Sequence, residues 1–147
     1  MSALTSDRRF CTLYVGDLLL GVTVDRVDEV LRDPLITPVP LASVDVAGLV
    51  NLRGQIITAI DARQRLGLDD NERDISPSIV VTRAGGEIVS LLVDRVGDVV
   101  EVNDSNHVEV PVTVGSTLAA VVTGAYKLDR ELMLVVDPDE MLTVHSG

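Results

Sequence analysis

Aromatic side chains are almost missing from this chain: Phe10, Tyr14 and Tyr126 are the full set among 147 residues, with no tryptophan. Any core must be filled by Val, Leu and Ile, and that β-branched bias favours strands over helices. Cysteine is scarcer still. Cys11 stands alone, which excludes an internal disulfide, and its place in the apolar run Phe10 to Val15 marks it as a core filler. Cations are also in short supply, since 12 Lys and Arg against 23 Asp and Glu leave a formal charge of −11. Nucleic acid is not expected as a partner, because affinity for a phosphate backbone comes largely from Lys and Arg releasing counterions. No apolar run reaches the 18 residues that would suit a membrane-spanning helix: Asp17 interrupts the longest N-terminal one, and MSALTSDRRF has no apolar signal core. The expectation is a cytoplasmic protein with no direct membrane insertion.

Motifs that carry chemistry are equally hard to find. His107 and His145 are the only histidines, and neither has a second His or Cys at metal-ligand spacing, so no metal is expected. There is no G-x-S-x-G, no Walker-type G-x-x-x-x-G-K and no Cys-His pairing, and the Gly48-to-Gly54 spacing lacks the lysine that would hold a phosphate. Catalytic residues and cofactors are therefore expected to be none. An enzyme would need a pocket where titratable groups converge, which so few His, Cys and Ser residues disfavour.

What the chain does contain is a duplication. Val24-Asp25-Arg26-Val27-Asp28-Glu29-Val30 recurs as Val93-Asp94-Arg95-Val96-Gly97-Asp98-Val99, and Gly48, Leu52, Ile56, Ile60, Asp61 and Leu66 recur as Gly124, Leu128, Leu132, Val136, Asp137 and Leu142. Two blocks repeating in the same order indicate two related units. Asp61 and Asp137 fall at equivalent places, where a duplicated helix-capping role explains both; paired catalytic carboxylates would need a cleft as well.

Each unit reads as about five short strands and a helical turn. In the first, Phe10 to Val15, Leu18 to Val24 and Val27 to Arg32 are strand-like, and Pro34, Pro38 and Pro40 make the stretch to Val46 an extended connector. Val46 to Leu52 and Gln55 to Ile60 form a hairpin turning at Arg53-Gly54, where glycine supplies a positive φ; Asp61 then caps a helix over Ala62 to Leu66, which Gly67 stops. The second unit repeats the plan with Ile79 to Arg83, Glu87 to Val93, Val96 to Val102, Ala119 to Leu128, Glu131 to Val136 and a short helix from Asp137-Pro138. The polar residues 69–77 read as a linker. Pattern alone supports an all-β, duplicated chain, and both paired small barrels and a sandwich satisfy it.

Three stretches resemble the CheW-type chemotaxis adaptor family: GLVNLRGQIITAIDARQRLGL from Gly48 to Leu68, Val27-Asp28-Glu29-Val30-Leu31-Arg32, and the loop Ile36-Thr37-Pro38-Val39-Pro40. The likeness covers nearly the whole chain, with departures at Ala62, Asp129-Arg130-Glu131 and Pro138. It implies an all-β fold of two SH3-like five-stranded barrels packed side by side, with short helices after the last strand of each. One CheW-like domain would then span 1–147, with a first barrel at about 8–70 and a second at about 77–145.

The resemblance also implies a non-catalytic scaffold that couples methyl-accepting chemoreceptors, through their cytoplasmic tips, to the regulatory domain of a CheA-type histidine kinase. Such a protein is cytoplasmic and recruited to the inner face of the membrane through receptor arrays. A sister system governing twitching motility or development is the alternative. By the resemblance, Val24, Val27, Val30 and Val93 line a receptor-binding groove with Cys11 at its margin; inter-barrel core is the competing role for these valines. Glu29 and Arg53, with Gly48 and Gly54, belong to the motif for complex assembly or its support. A guanidinium at a tight turn can pair with a carboxylate, so an Arg53–Glu29 pair is expected either to hold the hairpin or to meet a partner.

Overall fold

The computed structural model describes residues 8–68, 78–84, 86–111 and 115–142. The expected linker at 69–77 and His145 lie outside the described residues. Alternating apolar runs and glycine-bearing turns produce the strands β1 (Arg8–Val15), β2 (Leu18–Thr23), β3 (Val27–Arg32), β4 (Val46–Leu52) and β5 (Gln55–Asp61) in the first half. The second half contributes β6 (Ser78–Ala84), β7 (Glu87–Val93), β8 (Arg95–Val102), β9 (His107–Val108), β10 (Val122–Lys127) and β11 (Leu132–Val136). Helices are single turns: α1 (Ala62–Arg65), α2 (Ser116–Ala119) and α3 (Pro138–Leu142). The fold is all-β. Helix α2 was not legible in the run Ala119 to Leu128, which begins as helix and becomes strand only at Val122.

The strands form a six-stranded sheet in the order β8-β1-β2-β11-β10-β9 and a five-stranded sheet in the order β3-β6-β7-β5-β4. The extra member over five and five is the two-residue β9. The duplication is real, because replacing β8, β1, β2, β11 and β10 by their repeats β3, β6, β7, β5 and β4 turns the first order into the second. Local detail repeats too: a bulge falls between Val46 and Gly48 in β4 and between Val122 and Gly124 in β10.

The sheets do not follow the sequential division at 8–70 and 77–145. Each takes the leading hairpin of one half and the last strands of the other: β1 pairs with β8, Cys11 opposite Val99, and β3 pairs with β6, Val30 opposite Val80. The cause is the bend after each leading hairpin. A 3-10 turn at Val24–Arg26 carries the chain from β2 into the other sheet, and Asp94 does so between β7 and β8.

This exchange explains the near-continuous apolar runs, since the central strands are buried on both faces. In β7, Leu91 and Val93 join a core shared by the two sheets, while Leu92 turns into the five-stranded sheet's own cluster with Val50, Ile57, Ile79 and Val81. In the six-stranded sheet, Leu20 and Leu134 enter the shared core, and Phe10, Leu19, Tyr126 and Met133 form its private cluster. The private cluster of the five-stranded sheet contains no aromatic residue, as the composition led one to expect.

Both anticipated helix caps are present. The Asp61 carboxylate accepts from the Arg63 and Gln64 N–H groups at 3.0 and 3.4 Å, and Asp137 accepts from the Asp139 N–H at 2.9 Å.

Candidate protein-interaction site

The β4–β5 hairpin closes in two residues, Leu52 being paired with Gln55. Both loop residues adopt positive φ, 52° at Arg53 and 86° at Gly54, the geometry of a type I′ turn whose twist matches the flanking strands. Asn51 stabilises it by accepting the Gly54 N–H at 2.8 Å. The turn aims the Arg53 guanidinium at Glu29, and the two form a salt bridge. Because β3 and β4 are the opposite edges of their sheet, this pair draws the sheet round on itself, in keeping with a small barrel. Gly48 performs a separate task. Its backbone passes so close to the connector that a Cβ there would sit 2.3 Å from the Thr37 carbonyl oxygen, next to the reciprocal Thr37–Leu49 hydrogen bonds at 2.9 and 2.8 Å.

Beside the Glu29–Arg53 pair lies a hollow of about 750 Å³ between β3, the connector and β4. Val30, Leu35 and Ile56 line it and remain exposed, Leu35 at 89%. The connector continues the apolar surface through Leu41, which is fully exposed and held at a φ of 66°. A leucine at positive φ in water carries both strain and unburied apolar area, a combination found where a surface meets a partner.

The four valines expected in one groove are separated by the structure. Val30 lines the hollow, whereas Val27, nearer the crossover, packs against the shared core; a bulge between Val27 and Glu29 leaves both on one face of β3 at different points along the strand. Val24, in the 3-10 turn, is 36% exposed. Val93 is a correction: at 2% exposure it is part of the shared core, because β7 is a central strand covered on both faces, and it presents no surface to a partner. Cys11 is likewise interior, and burial pushes its thiol pKa up. A thiol held in the neutral form reacts slowly, so Cys11 is expected to resist iodoacetamide in the folded protein and to react fully in denaturant, as followed by mass spectrometry.

Sequence reasoning missed Leu35 and Ile56. The signal was available in Ile56-Ile57, since adjacent residues of a strand face opposite ways and one of the two must leave the barrel interior. It also missed the ion pairs that hold the crossovers. Arg63 of α1 grips Asp94 with Nε–Oδ1 at 2.9 Å and Nη2–Oδ2 at 2.6 Å, and Asp94 Oδ2 also accepts the Gly16 N–H at 2.8 Å. Arg26 of the other crossover donates to Asp139 Oδ1 of α3 at 2.8 Å and to the Arg83 carbonyl at 2.7 Å. No group of three His, Cys, Asp or Glu side chains placed to hold a metal occurs among the described residues. His107 instead lies edge-on to the Tyr126 ring at 5.4 Å.

Comparison with known proteins matches residues 9–145 to a family model described as the CheW-like domain. The chemotaxis protein CheW of Thermotoga maritima is 32% identical over 136 residues, covering 90% of this chain and 88% of its own. That of Rhizobium meliloti is 28% identical over 134 residues, covering 91% and 86%. Among solved structures, the scaffolding protein TtCheW from Thermoanaerobacter tengcongensis aligns with a TM-score of 0.83 and 26% identity, over 94% of each chain.

Proposed function

The chain belongs to the CheW-like domain family, whose members are non-catalytic scaffolds of chemotaxis signalling, and from that membership we propose that it joins a methyl-accepting chemoreceptor to a CheA-type histidine kinase through two separate surfaces. The observation that carries this is the split of the valines. Val24, with Val27 behind it, marks the crossover between the sheets as the place for a receptor helix, a docking mode that depends on a few apolar anchors. Val30, Leu35 and Ile56 offer an apolar hollow to a barrel of the kinase regulatory domain. Glu29 and Arg53 shape that second surface, and Gly48 and Gly54 support the hairpin that presents it. One CheW-like unit with two strand-exchanged sheets, rather than two sequential barrels, is the domain organisation that fits.

Two partners held on one scaffold raise each other's effective concentration, so individual contacts of micromolar strength, about −8 kcal/mol, suffice. Among the described residues no helix is long and apolar enough to cross a membrane. Recruitment to the inner face of the membrane is then a property of the receptor array.

The test is a pair of titrations, against a soluble receptor cytoplasmic fragment and against the kinase regulatory domain of the same organism. Val24→Asp should weaken the receptor contact alone, and Ile56→Asp the kinase contact alone. Loss of both contacts, or of neither, in the two variants would refute the two-surface division. Arg53→Ala should weaken kinase binding with little change in melting temperature, because the side chain is 80% exposed and surface ion pairs contribute about 1 kcal/mol at most. Differential scanning calorimetry beside the titration checks it.

A further inference from the structure

Both crossovers between the sheets carry the repeated Val-Asp-Arg motif, and both are held by an ion pair to the helix that ends the other half, with the charges inverted. At the β7–β8 crossover the motif supplies the acid, Asp94, and α1 supplies Arg63; at the β2–β3 crossover the motif supplies the base, Arg26, and α3 supplies Asp139. The two pairs differ in how firmly they hold. The Arg63–Asp94 side chains are 9% and 13% exposed, the pair is bidentate, and the Asp94 N–H also donates to the Tyr14 carbonyl at 3.0 Å. The Arg26–Asp139 side chains are 32% and 50% exposed, and a single nitrogen, Nη2, serves both Asp139 and the Arg83 carbonyl.

The 3-10 turn that Val24 opens and Arg26 closes has no side-chain cap, Thr23 making no such bond. Asp28 and Arg83 add a longer contact of 3.4 Å just past it. The Arg26 side chain is thus the main polar tie that fixes where Val24 points. Resting on the proposed receptor role of Val24, we infer that Arg26 and Asp139 are positioning residues for receptor binding: their ion pair sets the β2–β3 crossover for a receptor helix, while the buried Arg63–Asp94 pair is the fixed pivot. Exposure makes the Arg26–Asp139 pair sensitive to salt and to any partner that competes for either charge.

The experiment titrates the full chain and its Asp139→Ala, Asp139→Glu, Arg26→Ala and Val24→Asp variants with a soluble chemoreceptor cytoplasmic fragment and, separately, with the kinase regulatory domain. Amide hydrogen exchange of residues 23–27 and melting temperature are recorded in parallel. Asp139→Ala should weaken receptor binding about fivefold, the scale of one exposed ion pair. It should also speed exchange in the crossover, with kinase affinity and melting temperature unchanged; Asp139→Glu should restore binding. Arg26→Ala should show the same loss, and the wild type should approach both variants at high salt. Receptor binding unchanged in Asp139→Ala while Val24→Asp loses it would overturn the positioning role and leave the receptor surface standing. Equal weakening of both partners, or a parallel fall in melting temperature, would overturn it in favour of a general structural role. Receptor binding retained by Val24→Asp would remove the receptor surface itself, and the positioning role with it.

Discussion

Gly48→Ala is expected to lower stability by about 3 kcal/mol, the upper range for forcing an atom into a packed site. For a domain of this size that is roughly a 10 °C fall in melting temperature. The new Cβ would lie 2.3 Å from the Thr37 carbonyl oxygen and 2.7 Å from the Ile36 side chain, and the φ of 151° is one that L side chains rarely adopt. The clash is with backbone, which cannot rotate away as a flexible side chain could. Relief would require breaking the two Thr37–Leu49 hydrogen bonds that tie the connector to β4. Gly54→Ala is the control: its φ is also positive, at 86°, but nothing lies within 4 Å of the added Cβ, so the loss should be about 1 kcal/mol of backbone strain. Calorimetry on the two variants separates close approach from conformation, and equal losses would mean that the Thr37 contact is unimportant.

Arg63→Ala is expected to be at least as damaging, by about 3–5 kcal/mol, because it leaves the Asp94 carboxylate nearly buried without its guanidinium. Asp94 sits where the chain passes between the sheets and also holds the Gly16 N–H of the β1–β2 turn. The loss therefore reaches both sheets. Removing the stranded charge as well should recover part of it, so the Arg63→Ala, Asp94→Ala double variant should be more stable than Arg63→Ala alone in urea unfolding. Arg63→Lys should recover less than full stability, since an ammonium cannot make the paired Nε and Nη2 contacts. A double variant less stable than the single would assign the effect to lost packing around Arg63 instead.

Much of this architecture was readable one residue at a time. The repeated Val-Asp-Arg motif and the equivalent Asp61 and Asp137 revealed the duplication, and their capping bonds are the ones expected of an Asp ahead of a short helix. Strand positions followed from apolar runs punctuated by Gly16, Gly54 and the connector prolines. The exchange of strands between halves was not readable, because the pairing of β3 with β6 rather than β1 is decided by the bend at Val24–Arg26, and the same local sequence suits either partner. The fate of the valines was not readable locally. Residues three apart take opposite faces of a regular strand, but a bulge between Val27 and Glu29 returns Val27 and Val30 to one face, opposite Thr82 and Val80. Only their distance along β3 puts one near the crossover and the other at the hollow. Burial of Val93 needed the tertiary fold, since it is the packing of the other sheet in the shared core that makes it interior. The ion pairs escaped notice because Arg63 and Asp94, or Arg26 and Asp139, meet across distant parts of the chain, and no local spacing announces them.

The most direct measurement is sedimentation of the chain mixed with the soluble receptor fragment and the kinase regulatory domain, singly and together. A ternary complex in which one copy of the chain carries both partners at once, each bound at micromolar strength, is the result expected of an adaptor with separate receptor and kinase surfaces. Displacement of one partner by the other would contradict it by placing both on a single surface, and failure to bind either would remove the coupling function from this chain.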